Sequence, residues 1–290
     1  MKPPRLAKTG SALIALLALA GCAVESPQEV APAALTHIHG LAFDPGQDAL
    51  VVATHGGVYR LDIRETPAAV TGPVGGLDID AMGFTLVGDV SYASGHPGPS
   101  TPGTFGSPSL GLIRSEDGGV NWSNVSLTGS TDFHDLSVSE SRISRIYGLA
   151  GSALARSDDG GTSWTNVATI EARDILSPAS DAETLFATTP EGLMVSRDAG
   201  ATFSPVPDSP PLYLLADAGT AQGGLVGIDT EGIVWAQSEA DGTWSAGGQV
   251  SGTPQAMLVL PASGRLIVAD DRGISASDDD GRTWDLLWAS

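Results

Sequence analysis

Between residues 130 and 170 the apolar positions fall into short runs, at 133–138, 144–149, 153–156 and 164–168, with polar positions interleaved and turns of Gly, Ser and Asp between them. Alternation over such lengths predicts β-strands, and glycine-containing turns between them predict antiparallel hairpins. We name the four strands of such a unit A to D. No segment carries the sustained three-to-four-residue periodicity of a long amphipathic helix.

The unit repeats. Its marker is the octapeptide Ser157-Asp158-Asp159-Gly160-Gly161-Thr162-Ser163-Trp164, at the turn between strands C and D. Related copies begin at Ser115, Ser196 and Ser277, and a degenerate copy, Ser238 to Trp244, lies between the last two. The serine-to-serine steps are 42, 39, 42 and 39 residues, the length of one four-stranded propeller blade. Aligning the units places strand A near His39, Met82, His134, Arg173, Tyr213 and Gln255, which predicts an all-β, six-bladed β-propeller of four-stranded antiparallel blades. The first unit has Leu61-Asp62-Ile63-Arg64 where the box would stand, and the second carries a Gly/Pro/Ser-rich insertion, 95–109, expected as a surface loop. Strand D of the last unit, 284–288, is already supplied by the C-terminal residues, so segment 29–35 is expected to add an outer strand where the ring closes.

The box has a structural logic. Ser and Asp side chains accept backbone N–H groups inside a tight turn, Gly permits positive φ, and the final aromatic carries apolar area into the sheet. Asp117, Asp159, Asp198 and Asp279 are therefore expected to serve the hairpins. They lack the twelve-residue loop and closing glutamate of an EF-hand.

At the N-terminus, Lys2, Arg5 and Lys8 precede a short apolar stretch, 11–20, and Leu19-Ala20-Gly21-Cys22 has the form of a lipobox. This predicts a lipoprotein signal over 1–21, a lipidated Cys22 with a flexible tether to residue 36, and a propeller over 37–290 on the extracytoplasmic side, held to the membrane by lipid alone. Cys22 is the only cysteine, so the folded part has no disulfide. The formal net charge of -20 becomes about -23 once the three basic residues of the signal are removed. Such a chain repels phosphate backbones, which excludes nucleic acid as an expected partner, while it favours solubility and cations. A monomer is expected.

The boxes resemble the Asp-box, or BNR, repeats of sialidases and related propellers over roughly residues 37–288. The segments His37-Ile38-His39-Gly40-Leu41, Thr54-His55-Gly56-Gly57 and Ser94-Gly95-His96-Pro97-Gly98 resemble a group of bacterial lipoproteins labelled glycosyl hydrolases. A more distant resemblance is to the propeller of photosystem II assembly factors, which bind proteins. The resemblance implies a propeller whose boxes lie on the face opposite any catalytic pocket.

Antiparallel connectivity puts the entrance to strand A and the B–C turn of each blade on one face. All five histidines, His37, His39, His55, His96 and His134, fall there, with Met82 among them and Asp80, Asp132, Asp135, Glu171 and Asp174 flanking the entrances. Three functions fit this set. The first is binding of a ligand or partner protein by the His/Asp-rich face, a rigid scaffold presenting loops. The second is glycoside hydrolysis, for which the carboxylates Asp80, Asp132, Asp135, Glu171 and Asp174 with Arg173 and Tyr213 are the candidates. A sialidase mechanism would also need an arginine cluster, and Arg60, Arg114 and Arg156 instead recur beside the boxes, on the other face. The third is a copper or zinc site made by His39, His55 and His134, with His37, His96 or Met82 in support.

Overall fold

The computed structural model of the chain describes Met1 and residues 35–65, 67–218, 224–238 and 240–290. The signal sequence, Cys22 and nearly all of the tether fall outside the described residues.

Six four-stranded antiparallel sheets follow one another along the chain. Blade 1 comprises β1 (Ile38–Asp44), β2 (Ala49–Thr54), β3 (Gly57–Asp62) and β4 (Ala69–Thr71). Blade 2 comprises β5 (Asp80–Val87), β6 (Val90–His96), β7 (Leu112–Ser115) and β8 (Ser123–Ser126), and blade 3 comprises β9 (Asp135–Val138), β10 (Ile146–Ala150), β11 (Ala153–Ser157) and β12 (Thr165–Thr169). Blade 4 runs through β13 (Asp174–Leu176), β14 (Leu185–Thr189), β15 (Gly192–Ser196) and β16 (Ser204–Pro205), and blade 5 through β17 (Leu212–Asp217), β18 (Leu225–Asp229), β19 (Ile233–Gln237) and β20 (Trp244–Gln249). Blade 6 holds β21 (Pro254–Val259), β22 (Leu266–Asp270), β23 (Gly273–Ser277) and β24 (Asp285–Ala289). The innermost strands β1, β5, β9, β13, β17 and β21 each touch the next, and β21 touches β1, so they enclose a central channel.

The core is divided among the gaps between blades, one apolar cluster in each. Second strands are accordingly buried on both faces: β2, β18 and β22 are buried at every residue. The expected half-buried alternation does not hold there, because each sheet packs a neighbour on either side. The outermost strands keep exposed positions, as in β8 and β16.

Among the described residues blade 6 is a four-stranded sheet with β24 at its edge; the segment expected to add an outer strand, 29–35, lies outside the described residues except for Leu35. Closure is by packing of Leu35, Leu50, Leu61 and Ala68 against Ile267, Ile274 and Trp288. Two hydrogen bonds cross the seam, Ala68 N–H to Leu287 O at 2.9 Å and Ile38 N–H to Gln255 Oε1 at 2.9 Å.

The four full boxes share one hydrogen-bond pattern. In blade 3, Ser157 Oγ accepts from Gly161 N–H (2.8 Å) and donates to Asp159 (2.8 Å). Asp159 accepts from the N–H and hydroxyl of Ser163, and Trp164 Nε1 donates to Gly161 O. These bonds hold the Asp159 carboxyl down at about 2. The serine bonds recur at Ser115, Ser196 and Ser277. Arginines on strand C tie neighbouring hairpins together: Arg60 donates to Gly118 O of blade 2 (2.6 Å) and Arg156 to Ala199 O of blade 4 (3.0 Å). The insertion of blade 2 is a surface loop anchored by Ser100 N–H and the Thr101 hydroxyl on Asp78.

Candidate functional site

Four of the six innermost strands begin with the same irregularity. In β1 the register steps from Ile38 opposite Thr54 to Gly40 opposite Ala53, leaving His39 as an extra residue. Met82, Tyr213 and Gln255 are the extra residues of β5, β17 and β21. In blades 3 and 4 the ladders begin in continuous register at Asp135 and Asp174, and the residues just before them, His134 and Arg173, donate their N–H groups to Leu149 O and Thr188 O. A bulge re-aims a side chain while the rest of the ladder keeps its register. Here all six blades bring a side chain to the channel mouth at the strand A entrance: His39, Met82, His134, Arg173, Tyr213 and Gln255.

Two clusters form on the arc of blades 1 to 3. In the first, His39 Nε2 and His55 Nδ1 lie 3.1 Å and 2.7 Å from Asp80 Oδ1, and 3.1 Å from each other. The His37 ring lies 5.1 Å from that of His55, and His37 holds a positive φ of 50°, a conformation that few non-glycine residues adopt. Burial pushes the Asp80 carboxyl up, but hydrogen bonds and charge from His39 and His55 outweigh it and hold the group below its ordinary value. Glycines bring these parts together. At Gly57 (φ 119°) a Cβ would lie 2.6 Å from Leu77 O, and at Gly95 (φ 138°) one would lie 2.0 Å from Asp80 O, so only glycine lets the His55 turn and β6 approach β5 this closely.

In the second cluster Asp132 Oδ2 lies 2.9 Å from His96 Nε2 and 3.3 Å from His134 Nε2. His96 Nδ1 donates to Pro108 O at 2.9 Å, so the insertion orients this ring. Asp80 and His96 are partners in the β5–β6 ladder, which joins the two clusters into one arc. The metal set expected from sequence is therefore rearranged: His39 and His55 do meet, but Asp80 is the third donor, and His134 bonds Asp132 instead. Among the described residues, His39, His55 and Asp80 are the His/Cys/Asp/Glu group whose ligand atoms converge.

Blades 4 to 6 are stitched across the mouth. Arg173 Nε donates to Tyr213 Oη at 2.9 Å and Arg173 Nη2 to Gln255 O at 3.3 Å, with the guanidinium 5.0 Å from the Tyr213 ring centre. Gln255 belongs to this set, though sequence reasoning did not single it out; its place in the strand A alignment was the available signal.

Beside the mouth, Asp135 Oδ2 accepts Ile175 N–H of blade 4 and Asp174 Oδ2 accepts Leu215 N–H of blade 5, each at 2.7 Å. The two carboxyls influence each other's charge. Their surfaces are part-exposed, yet protein surrounds them closely. Burial, with the neighbouring charge, pushes Asp135 well up, and burial pushes Asp174 to about 6. Asp132 and Asp174, both among the candidate hydrolytic carboxylates, belong to separate groups, Asp132 with His96 and His134 and Asp174 with Leu215 N–H. Glu171 is exposed.

No family model matches the sequence, and no curated protein is significantly similar to it. Solved structures do share its fold. The GH74 xyloglucanase from Xanthomonas campestris is similar with a TM-score of 0.60 and 19% identity over 87% of this chain and 45% of its own. The GH74 enzyme of Niastella koreensis gives 0.61 and 16% over 86% and 45%. A chain of a nidogen/laminin complex gives 0.60 and 14% over 79% and 89%. The chain thus spans about half the length of the GH74 enzymes, and what it shares with all three at these identities is the β-propeller fold.

Proposed function

We propose that this chain is a lipid-anchored, extracytoplasmic binding propeller of the Asp-box kind, whose working surface is the end where strands A begin. The observation that carries the reading is the bulge repeated at the strand A entrances of blades 1, 2, 5 and 6. With the entrances of blades 3 and 4 these gather imidazole, thioether, guanidinium, phenol and amide groups around one channel mouth. The Asp-box side chains, by contrast, are consumed by their own hairpins. The N-terminal charge, apolar and lipobox order supports attachment to the membrane through Cys22.

Footprinting with diethyl pyrocarbonate tests this without knowing the ligand. In cells that produce the chain natively, His55, His96 and His134 are expected to be modified several-fold less than in purified protein. Equal modification in both settings would sink the reading.

Likeness to GH74 enzymes favours glycoside hydrolysis as a second reading. The site argues against it: Asp135 and Asp174 each hold a backbone N–H of the next blade at 2.7 Å, which commits these carboxyls to joining blades. Turnover of xyloglucan, sialosides or aryl glycosides, abolished by replacing one of these acids, would establish hydrolysis instead.

A further inference from the structure

We infer that His39, His55 and Asp80 form a binding site for one divalent transition-metal ion of the zinc or copper class, with its open coordination position facing solvent at the channel mouth. The inference rests on the reading that this face is the working surface, and it names one ligand for it.

Three donor atoms from three separate chain segments meet here. His39 Nε2, His55 Nδ1 and Asp80 Oδ1 are separated by 3.1, 2.7 and 3.1 Å. A point equidistant from three atoms so spaced lies about 1.7 Å from each in their plane, so an ion at the usual bond lengths of roughly 2.0–2.2 Å sits about 1 Å or a little more out of it. That is the shallow pyramid of a four-coordinate ion with three protein donors. Adjacent ligands of a tetrahedral ion with bonds of about 2.0 Å stand roughly 3.3 Å apart, so a few tenths of an ångström of side-chain movement completes the site.

The donor set selects the ion. Two imidazoles and one carboxylate suit zinc, copper or iron, whereas calcium and magnesium take oxygen. Two histidines with one carboxylate is also the composition of catalytic zinc sites that leave a fourth position free. The side chains of His39 and Asp80 are about four-fifths covered (21% and 20% exposed) while that of His55 is 49% exposed, so solvent reaches the cluster from the His55 side. His37, packed beside His55, is the nearest further imidazole.

The surroundings agree. A formal net charge of -20 raises the local concentration of cations. His39 is the bulged residue of β1, and Gly57 and Gly95 permit the close approaches that bring His55 and Asp80 to it.

The test uses protein purified without a histidine tag and stripped with a chelator. Zinc titrated against a chromophoric competitor is expected to bind at one ion per chain, and cobalt in its place to give the intense visible absorption of a four-coordinate site. His55→Ala and Asp80→Asn are expected to weaken zinc by more than the roughly 10- to 100-fold that losing an outer partner of a ligand costs. His134→Ala should leave zinc binding unchanged. Melting of each metal-free variant within a few degrees of the parent confirms that folding is not what was lost, and if His55→Ala fails this check, His55→Gln takes its place. Stoichiometry well below one, a weak six-coordinate cobalt spectrum, or equal weakening by His134→Ala would each overturn the site. Protection of His96 and His134 in cells would survive that result, so loss of the ion and loss of the binding face are distinguishable.

Discussion

The Asp135–Asp174 pair makes stability depend on pH in a direction opposite to that of most carboxylates. Asp174 rises from 3.8 to about 6 on folding, because burial disfavours its charge more than its hydrogen bonds and Arg173 favour it. A raised folded-state pKa contributes stability that is fully present below the unfolded value of 3.8 and is lost as pH rises through about 6. Each pKa unit corresponds to about 1.4 kcal/mol, so a rise of roughly two units gives a loss of about 3 kcal/mol, with Asp135 acting in the same direction. Asp174→Asn removes the effect: the amide keeps an oxygen for Leu215 N–H and carries no charge. Urea denaturation from pH 4 to 7.5 should show the parent losing about 3 kcal/mol more than Asp174→Asn across that window. Asp159→Asn is the control. Asp159 is depressed to about 2 by its hairpin, so its contribution is present above 3.8 and lost only as pH falls through about 2, outside the window. Parallel stability curves for the parent and Asp174→Asn would refute the claim that burial raises Asp174 on folding.

Other outcomes follow from single contacts. Gly95→Ala should cost about 3 kcal/mol or more, since a Cβ would sit 2.0 Å from Asp80 O at φ 138°, whereas Gly88→Ala, with open space around it at φ 56°, should cost about 1 kcal/mol; equal losses in chemical denaturation would contradict this. Ser157→Ala should cost about 1–3 kcal/mol by leaving the buried Gly161 N–H without its acceptor, and an unchanged denaturation midpoint would show that the hairpin holds without it. Tyr147→Phe, which removes a fully buried hydroxyl bonded to Ala182 O at 2.7 Å, should cost about 1 kcal/mol or less because Arg145 Nη1 still donates to the same carbonyl; a melting loss equivalent to 3 kcal/mol would mean that Arg145 does not compensate.

The repeat made the fold legible before any coordinates. Four boxes at blade-length spacing carry their own hairpin chemistry, and the bonds among Ser157, Asp159, Gly161 and Trp164 are local ones that sequence proximity suffices to predict. Strands C and D of blade 3, expected at 153–156 and 164–168, lie at Ala153–Ser157 and Thr165–Thr169. Antiparallel connectivity also predicted which loops meet the strand A entrances.

Other features depended on how the blades sit against one another. Strands such as β22 are buried on both faces because neighbouring sheets cover each, and alternation within one strand carries no record of a second neighbour. Closure by packing of Leu35 and Trp288 is a property of the completed circle. Asp80 replaces His134 beside His39 and His55 because a bulge in β1 and close glycine contacts at 57 and 95 set distances of a few ångströms between residues far apart in the chain. Sequence determined which side chains stand at the strand A entrances, since a repeat fixes the blade and its direction. Only the tertiary structure decided which of them touch, since that depends on inter-blade spacing and on one-residue steps in register.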